Sequence, residues 1–233
     1  MNKLCMTMAQ CNSLELDLRP GDIIAHQPEK LCAGSLTVFG TDNSDDFSAD
    51  HIFQFCGKIW RGILGQTIEA DGKKVNPHLF SEYFYDLTKG NCRLEVWRWK
   101  SLTPLQLNSI LAMWNQMNGK PYNWFIIAGF TIWGIFNKFL PVVGNWISNH
   151  MSNPGVVRDK NGNIISYVCS IQVVDSHKKE IEFYNLLTKW KKIENATPDN
   201  LRATCKKLAE LGFMERVADT FSIAKYGTLL PTK

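Results

Sequence analysis

The alternation of hydrophobic and polar residues predicts several β-strands in the first hundred residues. The clearest is Cys92–Trp99 (CRLEVWRW), in which Leu94 and Val96 share one face and Glu95 and Trp97 lie on the other. Further strands are predicted within 19–26 after a Pro-Gly turn, at 51–55, at 66–70, and as a short strand at 36–39 inside the polar loop 34–50. Together these runs indicate an antiparallel sheet.

Helical spacing of hydrophobic residues takes over in the second half of the chain. Thr103 and Pro104 are typical of a helix start, and Gly119 ends the periodic run that follows. The pattern predicts a second helix from about Cys169 to Trp190 and a third beginning at Thr197. Because no repeat or linker divides the sequence, we expect one α+β domain.

Composition and charge narrow the classes of function. The 233 residues are 45% hydrophobic, which is enough for a substantial core. The formal net charge is only +4, so we expect no nucleic-acid partner.

The number and spacing of the cysteines bear on metal binding, and the N-terminal residues bear on the cellular compartment of the protein. The seven cysteines form no C-x-x-C pair and are odd in number, which argues against a zinc site and against a disulfide framework. The first 17 residues have no continuous apolar core typical of a signal peptide. We therefore expect a reducing, cytoplasmic location; a virion protein or one delivered to a host by a specialised route remains an alternative.

One apolar, aromatic segment is a candidate for membrane contact. The run Trp124–Phe136 is 13 residues long, and an extension to Ile147 includes Lys138 and Pro141. It is too short to span a bilayer unaided. Two interpretations stay open: a buried helix or hairpin, or an apolar wall that contacts an acyl-bearing substrate or a membrane surface.

Cys169 is the cysteine whose local context suits catalysis. A nucleophilic cysteine needs stabilisation of its anion, a nearby base and a group that orients the base. The predicted helix start places unsatisfied backbone N–H groups around Cys169 and Ser170, and these groups suit an oxyanion hole. His177 lies eight residues further along the same helix, about 12 Å away, and is too distant to act as the base. His26 and His51, both on predicted strands, remain the candidates.

Six short runs carry a resemblance to a known family. They are, in order, Leu18–Ile24 (LRPGDII), Asp50–Ile52 (DHI), Ile68–Ala70 (IEA), Gly119–Trp124 (GKPYNW), Tyr167–Ser170 (YVCS) and Thr197–Leu201 (TPDNL). Their order resembles that of the circularly permuted NlpC-type, papain-like cysteine hydrolases, in which the histidine strand precedes the cysteine helix. The resemblance covers residues 17–205. It implies a permuted papain-like fold, with an antiparallel sheet or small barrel packed against helices.

The same resemblance implies a catalytic triad and its surroundings. Cys169 would be the nucleophile, His51 the base and Glu69 the residue that orients the imidazole. Tyr167 would lie beside the thiol with its hydroxyl near the oxyanion. Asp50 and Phe53 depart from the family pattern, which predicts competition for His51 and a narrower approach to the site.

These observations predict a cysteine hydrolase that cleaves an amide or peptide bond through a thioester, without a metal or organic cofactor. The substrates implied are a peptide, a cell-wall peptide or an acyl amide. The alternatives are a lipid amidase or acyltransferase that contacts lipid through Trp124–Ile147, and a non-catalytic interaction or virion-structural module. The predicted organisation is an N-terminal extension (1–16), the hydrolase domain (17–205) and a C-terminal helix and tail (206–233).

Overall fold

A computed structural model describes residues 4–29, 47, 49–59, 62, 64–125, 157–190, 193 and 196–227. Its strands are β1 (Ile23–Pro28), β2 (His51–Ile59), β3 (Leu64–Ala70), β4 (Val75–Leu79), β5 (Cys92–Trp99) and β6 (Met214–Asp219). Its helices are α1 (Met8–Asp17), α2 (Phe84–Lys89), α3 (Pro104–Met117), α4 (Cys169–Ser176), α5 (Ile181–Thr188), α6 (Pro198–Glu210) and α7 (Thr220–Tyr226), with a 3₁₀ helix at Phe80–Tyr83.

The strands form one open antiparallel sheet in the order β4-β3-β2-β1-β5-β6. On the register, His26 of β1 lies opposite His51 of β2, and Gln54 of β2 lies opposite Ile68 of β3. The predicted α+β architecture, with an antiparallel sheet packed against helices, is confirmed. The predicted strands at 23–26, 51–55, 66–70 and 92–99 are all present, whereas the one at 36–39 lies outside the described residues.

Alternating side chains of the sheet enter two hydrophobic cores. On one face, Ile23, Ile52 and Ile68 pack with apolar residues of α3, α4, α5 and α6. On the other face, Ile24 and Phe53 pack with residues of α1, α2 and α7. The sheet is therefore covered by helices on both faces. Side chains from different elements can still meet at the end of the sheet where β2 begins.

The residues predicted as an N-terminal extension contribute to the second core. Thr7 caps α1 with a reciprocal capping box that also uses Gln10. Cys11 and Leu14 of this helix are fully or almost fully buried against the sheet. Residues 4–16 thus pack as part of the same body as the strands.

Two predicted helix starts are confirmed by their caps. The Thr103 side chain accepts a hydrogen bond from the Gln106 N–H at the start of α3, and Thr197 does the same with Asn200 at the start of α6. In both helices proline occupies the first turn, where its missing N–H costs nothing.

The prediction of one helix from 169 to 190 was wrong. Helix α4 ends at Ser176 and α5 begins only at Ile181. The break lets Phe183 of α5 reach Trp99 on β5, with ring centroids 4.5 Å apart. In one straight helix, α4 and α5 would share an axis, and Phe183 would not reach Trp99. Packing against the sheet therefore overrides the continuous helical pattern of the sequence.

The C-terminal prediction of a helix and tail missed a strand. Met214–Asp219 pairs antiparallel with β5, and its Met214, Val217 and Ala218 are buried. Strand β4 was missed as well, because it contains Pro77. This proline is tolerated because β4 is an edge strand.

Of the apolar segment Trp124–Ile147, only Trp124 and Phe125 fall within the described residues. In the part of the chain that the structure describes, none of the helices combines the length and the apolar character needed to cross a bilayer.

Candidate active site

Cys169 is the first residue of α4, and its side chain is almost completely buried, with 5% exposed. The residue before it, Val168, has extended backbone geometry and provides no side-chain cap. The first N–H groups of α4 therefore receive no side-chain cap from the residue that precedes the helix. Such groups carry the positive end of the helix dipole, which favours an anion at Cys169.

Short backbone hydrogen bonds hold the segment that leads into Cys169. The Tyr167 N–H donates to the Pro121 carbonyl (3.1 Å), and the Asn123 N–H donates to the Tyr167 carbonyl (2.9 Å). The Asn123 side chain also donates to the Ser166 hydroxyl (2.7 Å). The position of Cys169 is thus set by a ladder against residues 121–123 as well as by α4.

His51 is the first residue of β2 and lies at the end of the sheet. Its Nε2 is 3.0 Å from Glu69 Oε2, and the two side chains are 22% and 5% exposed. Since Gln54 lies opposite Ile68, the antiparallel register places Phe53 against Glu69 and makes His51 the diagonal neighbour of Glu69. With Nε2 engaged, Nδ1 is the ring nitrogen available to the thiol.

Two residues that the sequence analysis did not single out complete the surroundings of Glu69. The Tyr83 hydroxyl donates to Oε2 (2.7 Å), and the Thr67 hydroxyl donates to Oε1 (2.6 Å). Thr67 was recognisable in principle, because residues two apart on a strand share a face. Tyr83 comes from the 3₁₀ helix, and no local pattern links it to the strand.

The charges of the site reinforce one another. Burial acts to lower the pKa of His51, but the Cys169 thiolate and the hydrogen bonds with Cys169 and Glu69 raise it well above its usual range. Burial acts to raise the pKa of Glu69, yet the hydrogen bonds from His51, Thr67 and Tyr83 keep it below its ordinary value. The arrangement favours an ionised Glu69 beside a protonated His51.

His26 and Asp50 form a separate pair. His26 Nδ1 lies 2.9 Å from Asp50 Oδ1, so Asp50 engages His26 rather than competing for His51. Phe53 is fully buried; its ring packs 5.4 Å from the His51 ring and stacks on Tyr83 at 4.9 Å. Phe53 therefore supports the imidazole from within the core instead of lining an open approach.

The hydroxyls of Tyr167 and Ser170 are already used inside the fold. Tyr167 donates to the buried carboxylate of Asp175 (2.8 Å), and the Ile164 carbonyl lies 3.0 Å from the same hydroxyl. Ser170 is fully buried and donates to the carbonyl of Ala196. Each hydroxyl could donate to an oxyanion only if its present hydrogen bond, to Asp175 or to the Ala196 carbonyl, were broken. The backbone N–H groups at the start of α4 are therefore the better oxyanion donors.

Tyr122 is a further aromatic residue at the site. A backbone bridge pairs Tyr122 with Tyr167, two residues before Cys169, and burial, together with the negative charge of Cys169, raises the pKa of the Tyr122 phenol. The Trp124 ring packs on it at 4.9 Å. Trp124 and Phe125 themselves are 63% and 78% exposed, so an aromatic surface borders this side of the site.

The other described histidines lie elsewhere. His78 pairs with Asp71 and Glu82 near the surface. His177 is fully buried, accepts a hydrogen bond from the Trp99 indole (3.3 Å), and has its pKa lowered to about 4 by burial. Neither is placed near Cys169 by any described contact, and His150 lies outside the described residues.

The remaining thiols differ from Cys169 in their surroundings. All six described cysteines are free thiols. Burial raises the pKa of Cys11 to about 11 and that of Cys92 to about 12, and it raises the pKa of Cys56 and Cys205 as well. Among the described residues, no three His, Cys, Asp or Glu side chains are grouped to hold a metal ion.

Fold and site together define an α+β protein in which the end of an antiparallel sheet brings a histidine–carboxylate pair to a cysteine at a helix N-terminus. No protein-family model matches the sequence, and no curated protein matches it either. A crystal structure of the metalloprotein yiiX from Escherichia coli O157:H7 is similar to it with a TM-score of 0.36 and 17% identity, over 53% of this chain and 67% of that chain. This likeness is too distant to establish the family or the function.

Proposed function

We propose that the protein is a cysteine hydrolase that cleaves an amide or peptide bond through a thioester, on a permuted papain-like scaffold of the NlpC type. The observation that carries the proposal is the position of His51, which pairs with Glu69 at 3.0 Å and interacts with Cys169 through its charge and a hydrogen bond. A nucleophile, a base and an orienting group in this order are the requirements of covalent catalysis by cysteine.

The residues suggest a sequence of steps. The Cys169 thiolate attacks the carbonyl carbon, and backbone N–H groups at the start of α4 stabilise the oxyanion. The imidazolium of His51 then protonates the leaving amine, which departs and leaves a thioester. Neutral His51 takes a proton from water, the resulting hydroxide attacks the thioester, and the acid is released as the thiolate and imidazolium form again. Glu69 stays ionised throughout and holds the imidazole in place.

The proposal is tested by alkylation that needs no substrate. A low concentration of iodoacetamide is applied between pH 5 and 9, and the modified cysteines are identified by peptide mapping. We expect Cys169 to react well below pH 8, where ordinary thiols are mostly protonated. Buried Cys11 and half-buried Cys92 provide internal comparators, because their raised pKa values keep them neutral.

Two variants make this test specific. His51→Ala should abolish labelling of Cys169 at acid pH. His26→Ala is the matched control, since His26 also lies at the sheet end, directly opposite His51, and also has a carboxylate partner. Labelling of Cys169 only above pH 8, or an equal loss in both variants, would contradict the proposed triad.

A lipid amidase or acyltransferase on the same scaffold is a second candidate. It is favoured by the exposure of Trp124 and Phe125 beside Tyr122, because aromatic side chains at a protein surface suit the membrane interface. Flotation with liposomes should be reduced by Trp124→Ser and Phe125→Ser together if this candidate holds. Unchanged flotation, or none with the wild-type protein, would favour a water-soluble peptide substrate.

A non-catalytic interaction or virion-structural module is the third candidate. It predicts that Cys169 is no more reactive than the other six thiols. The labelling experiment therefore separates it from both enzymatic candidates.

A further inference from the structure

A cavity of ≈ 370 Å³ lies at one end of the sheet, apart from the catalytic residues. Its walls come from five places: the segment before α1, the end of β1, the end of α2, the start of β5 and the start of α7. We call it the end pocket. Its volume falls within the range of small-molecule sites and far exceeds the space of one water.

Apolar side chains dominate the walls of the end pocket. The apolar members are Leu4, Met6, Pro28, Leu87, Cys92 and Phe221. Leu4 and Phe221 are 39% and 44% exposed, so large apolar surface meets water there. Met6 and Leu87, in contrast, are almost fully buried in the core behind the cavity.

The polar groups of the end pocket already have partners. Arg93 donates to both oxygens of Asp219, at 2.9 and 2.7 Å. The Thr220 hydroxyl accepts the Leu94 N–H (2.8 Å), and Gln27 and Glu29 also interact with other groups of the protein. A charged ligand would lose its hydration here and find each potential partner occupied. The walls therefore favour an uncharged, apolar ligand that binds through its surface area.

The end pocket and the candidate active site lie at the same end of the sheet. His26 pairs across the strands with catalytic His51, and the next residues of β1, from Gln27 to Glu29, line the cavity. The pocket also reaches the start of β5, two strands from β2 in the sheet order. Two strand spacings amount to about 10 Å. Because α4 covers the face opposite Met6 and Leu87, a molecule that joins the two sites must also pass around the end of the sheet.

We propose that the end pocket binds an unbranched aliphatic chain. If the proposed function holds, the bound aliphatic chain is part of the acyl group of the amide that Cys169 attacks. This assignment to the substrate rests on the proposed function, whereas aliphatic binding in the end pocket does not. The flexible, unbranched side chain of Met6 can adapt to such a chain.

The binding is tested with 1-octanol on the full chain labelled with ¹³C in its methionine methyl groups. The signal of Met6, assigned through Met6→Leu, should shift and saturate, whereas that of Met117 in the opposite core should stay in place. Affinity should fall about fourfold for each methylene removed down to 1-butanol. The comparator 1,8-octanediol has the same chain with a second polar end and should bind far more weakly.

A pair of variants locates the site. Leu4→Glu places a carboxylate at the exposed edge of the end pocket and should lower octanol affinity at least tenfold. Leu105→Glu is the matched control, because Leu105 is 80% exposed and lies in the first turn of α3, outside the pocket. An unmoved Met6 signal, equal binding of octanol and the diol, or equal effects of the two variants would overturn the proposal.

A kinetic experiment tests the link to catalysis separately. In 4-nitrophenyl esters the Cys169 thiolate attacks the ester carbonyl, 4-nitrophenolate leaves, and water then releases the carboxylic acid. We expect kcat/KM to change little from acetate to butyrate, because these acyl chains are too short to reach the end pocket, and to rise for dodecanoate. Leu4→Glu should remove this rise. No dependence on chain length would overturn the link; octanol binding without any ester cleavage would refute the proposed function and leave the pocket as a binding site.

Discussion

Replacing Glu69 with glutamine isolates the contribution of its negative charge. The carboxylate accepts hydrogen bonds from His51, Tyr83 and Thr67. A glutamine side chain of the same shape can keep its oxygen toward His51 and Tyr83 and donate its NH₂ to the Thr67 oxygen. The Thr67 hydroxyl can then turn to the His78 carbonyl, which is 3.4 Å away. Glu69→Gln therefore removes the charge and preserves the hydrogen-bond network.

The expected size of the effect follows from one charge-assisted hydrogen bond, worth about 1.5–3 kcal/mol. This range corresponds to a shift of about 10- to 150-fold in favour of neutral His51. We expect the pKa of His51 to fall, and alkylation of Cys169 at pH 6 to slow at least about fivefold, since the thiolate loses its cationic partner.

The loss of stability should depend on pH in a defined window. The raised pKa of His51 means that its charged form stabilises the folded state fully below the unfolded pKa, near 6.5, and that this contribution disappears as the pH rises through the folded pKa. The lowered pKa of Glu69 means that its contribution is lost as the pH falls through the folded value. Glu69→Gln should therefore cost most between about pH 5 and about pH 6.5, and less as the pH rises from there to the raised pKa of His51.

The assay combines the iodoacetamide rate of Cys169 at pH 6 with urea unfolding at pH 5.5 and pH 9. Glu82→Gln serves as the control, because Glu82 is a largely exposed carboxylate that pairs with His78. An alkylation rate of Glu69→Gln within twofold of the wild type, with His51→Ala still inactive, would refute the assignment of Glu69 as the orienting group.

Three further predictions concern neighbouring groups. Tyr83→Phe removes the hydroxyl that donates to Glu69 and should lower the free energy of unfolding by about 1 kcal/mol, measured in urea, and slow the alkylation of Cys169. Tyr167→Phe leaves the buried Asp175 carboxylate without its donor and should cost about 1–3 kcal/mol at pH 7. Burial already raises the pKa of Asp175, and loss of the donor raises it further. A raised carboxyl pKa lowers stability only where the unfolded carboxyl is ionised, so the cost should be smaller at about pH 3, below the unfolded pKa of about 4. Cys169→Ser should abolish hydrolysis while the free energy of unfolding stays within about 1 kcal/mol of the wild type.

Each of these three predictions would be contradicted by a specific result. Unchanged alkylation in Tyr83→Phe would show that the tyrosine supports only the fold. A cost of Tyr167→Phe that is equal at about pH 3 and pH 7 would exclude the ionised carboxyl of Asp175 as its origin. Hydrolysis retained in Cys169→Ser would assign the nucleophile to another residue.

Several elements could be predicted from the sequence because their determinants are local. The threonine-proline starts at Thr103 and Thr197 satisfy backbone groups within one turn, and both predicted helix starts are confirmed. The alternation in Cys92–Trp99 depends only on strand geometry, and Leu94 and Val96 do share one core. Strand β6 and the break after Ser176 could not be predicted in this way, because pairing with β5 and packing on Trp99 decide them.

In the candidate active site, too, some features follow from the local sequence and others depend on tertiary contacts. The sequence by itself determined that Cys169 heads a helix and that His51 lies on a strand, since capping and alternation act over a few residues. Local patterns left both His26 and His51 as candidates, and only the resemblance implied His51. The tertiary structure decided the contacts: strand register brings His51 to Glu69, while Asp50 engages His26. These contacts join residues far apart in the chain, so they depend on the sheet register and on packing across the cores, which no local pattern encodes.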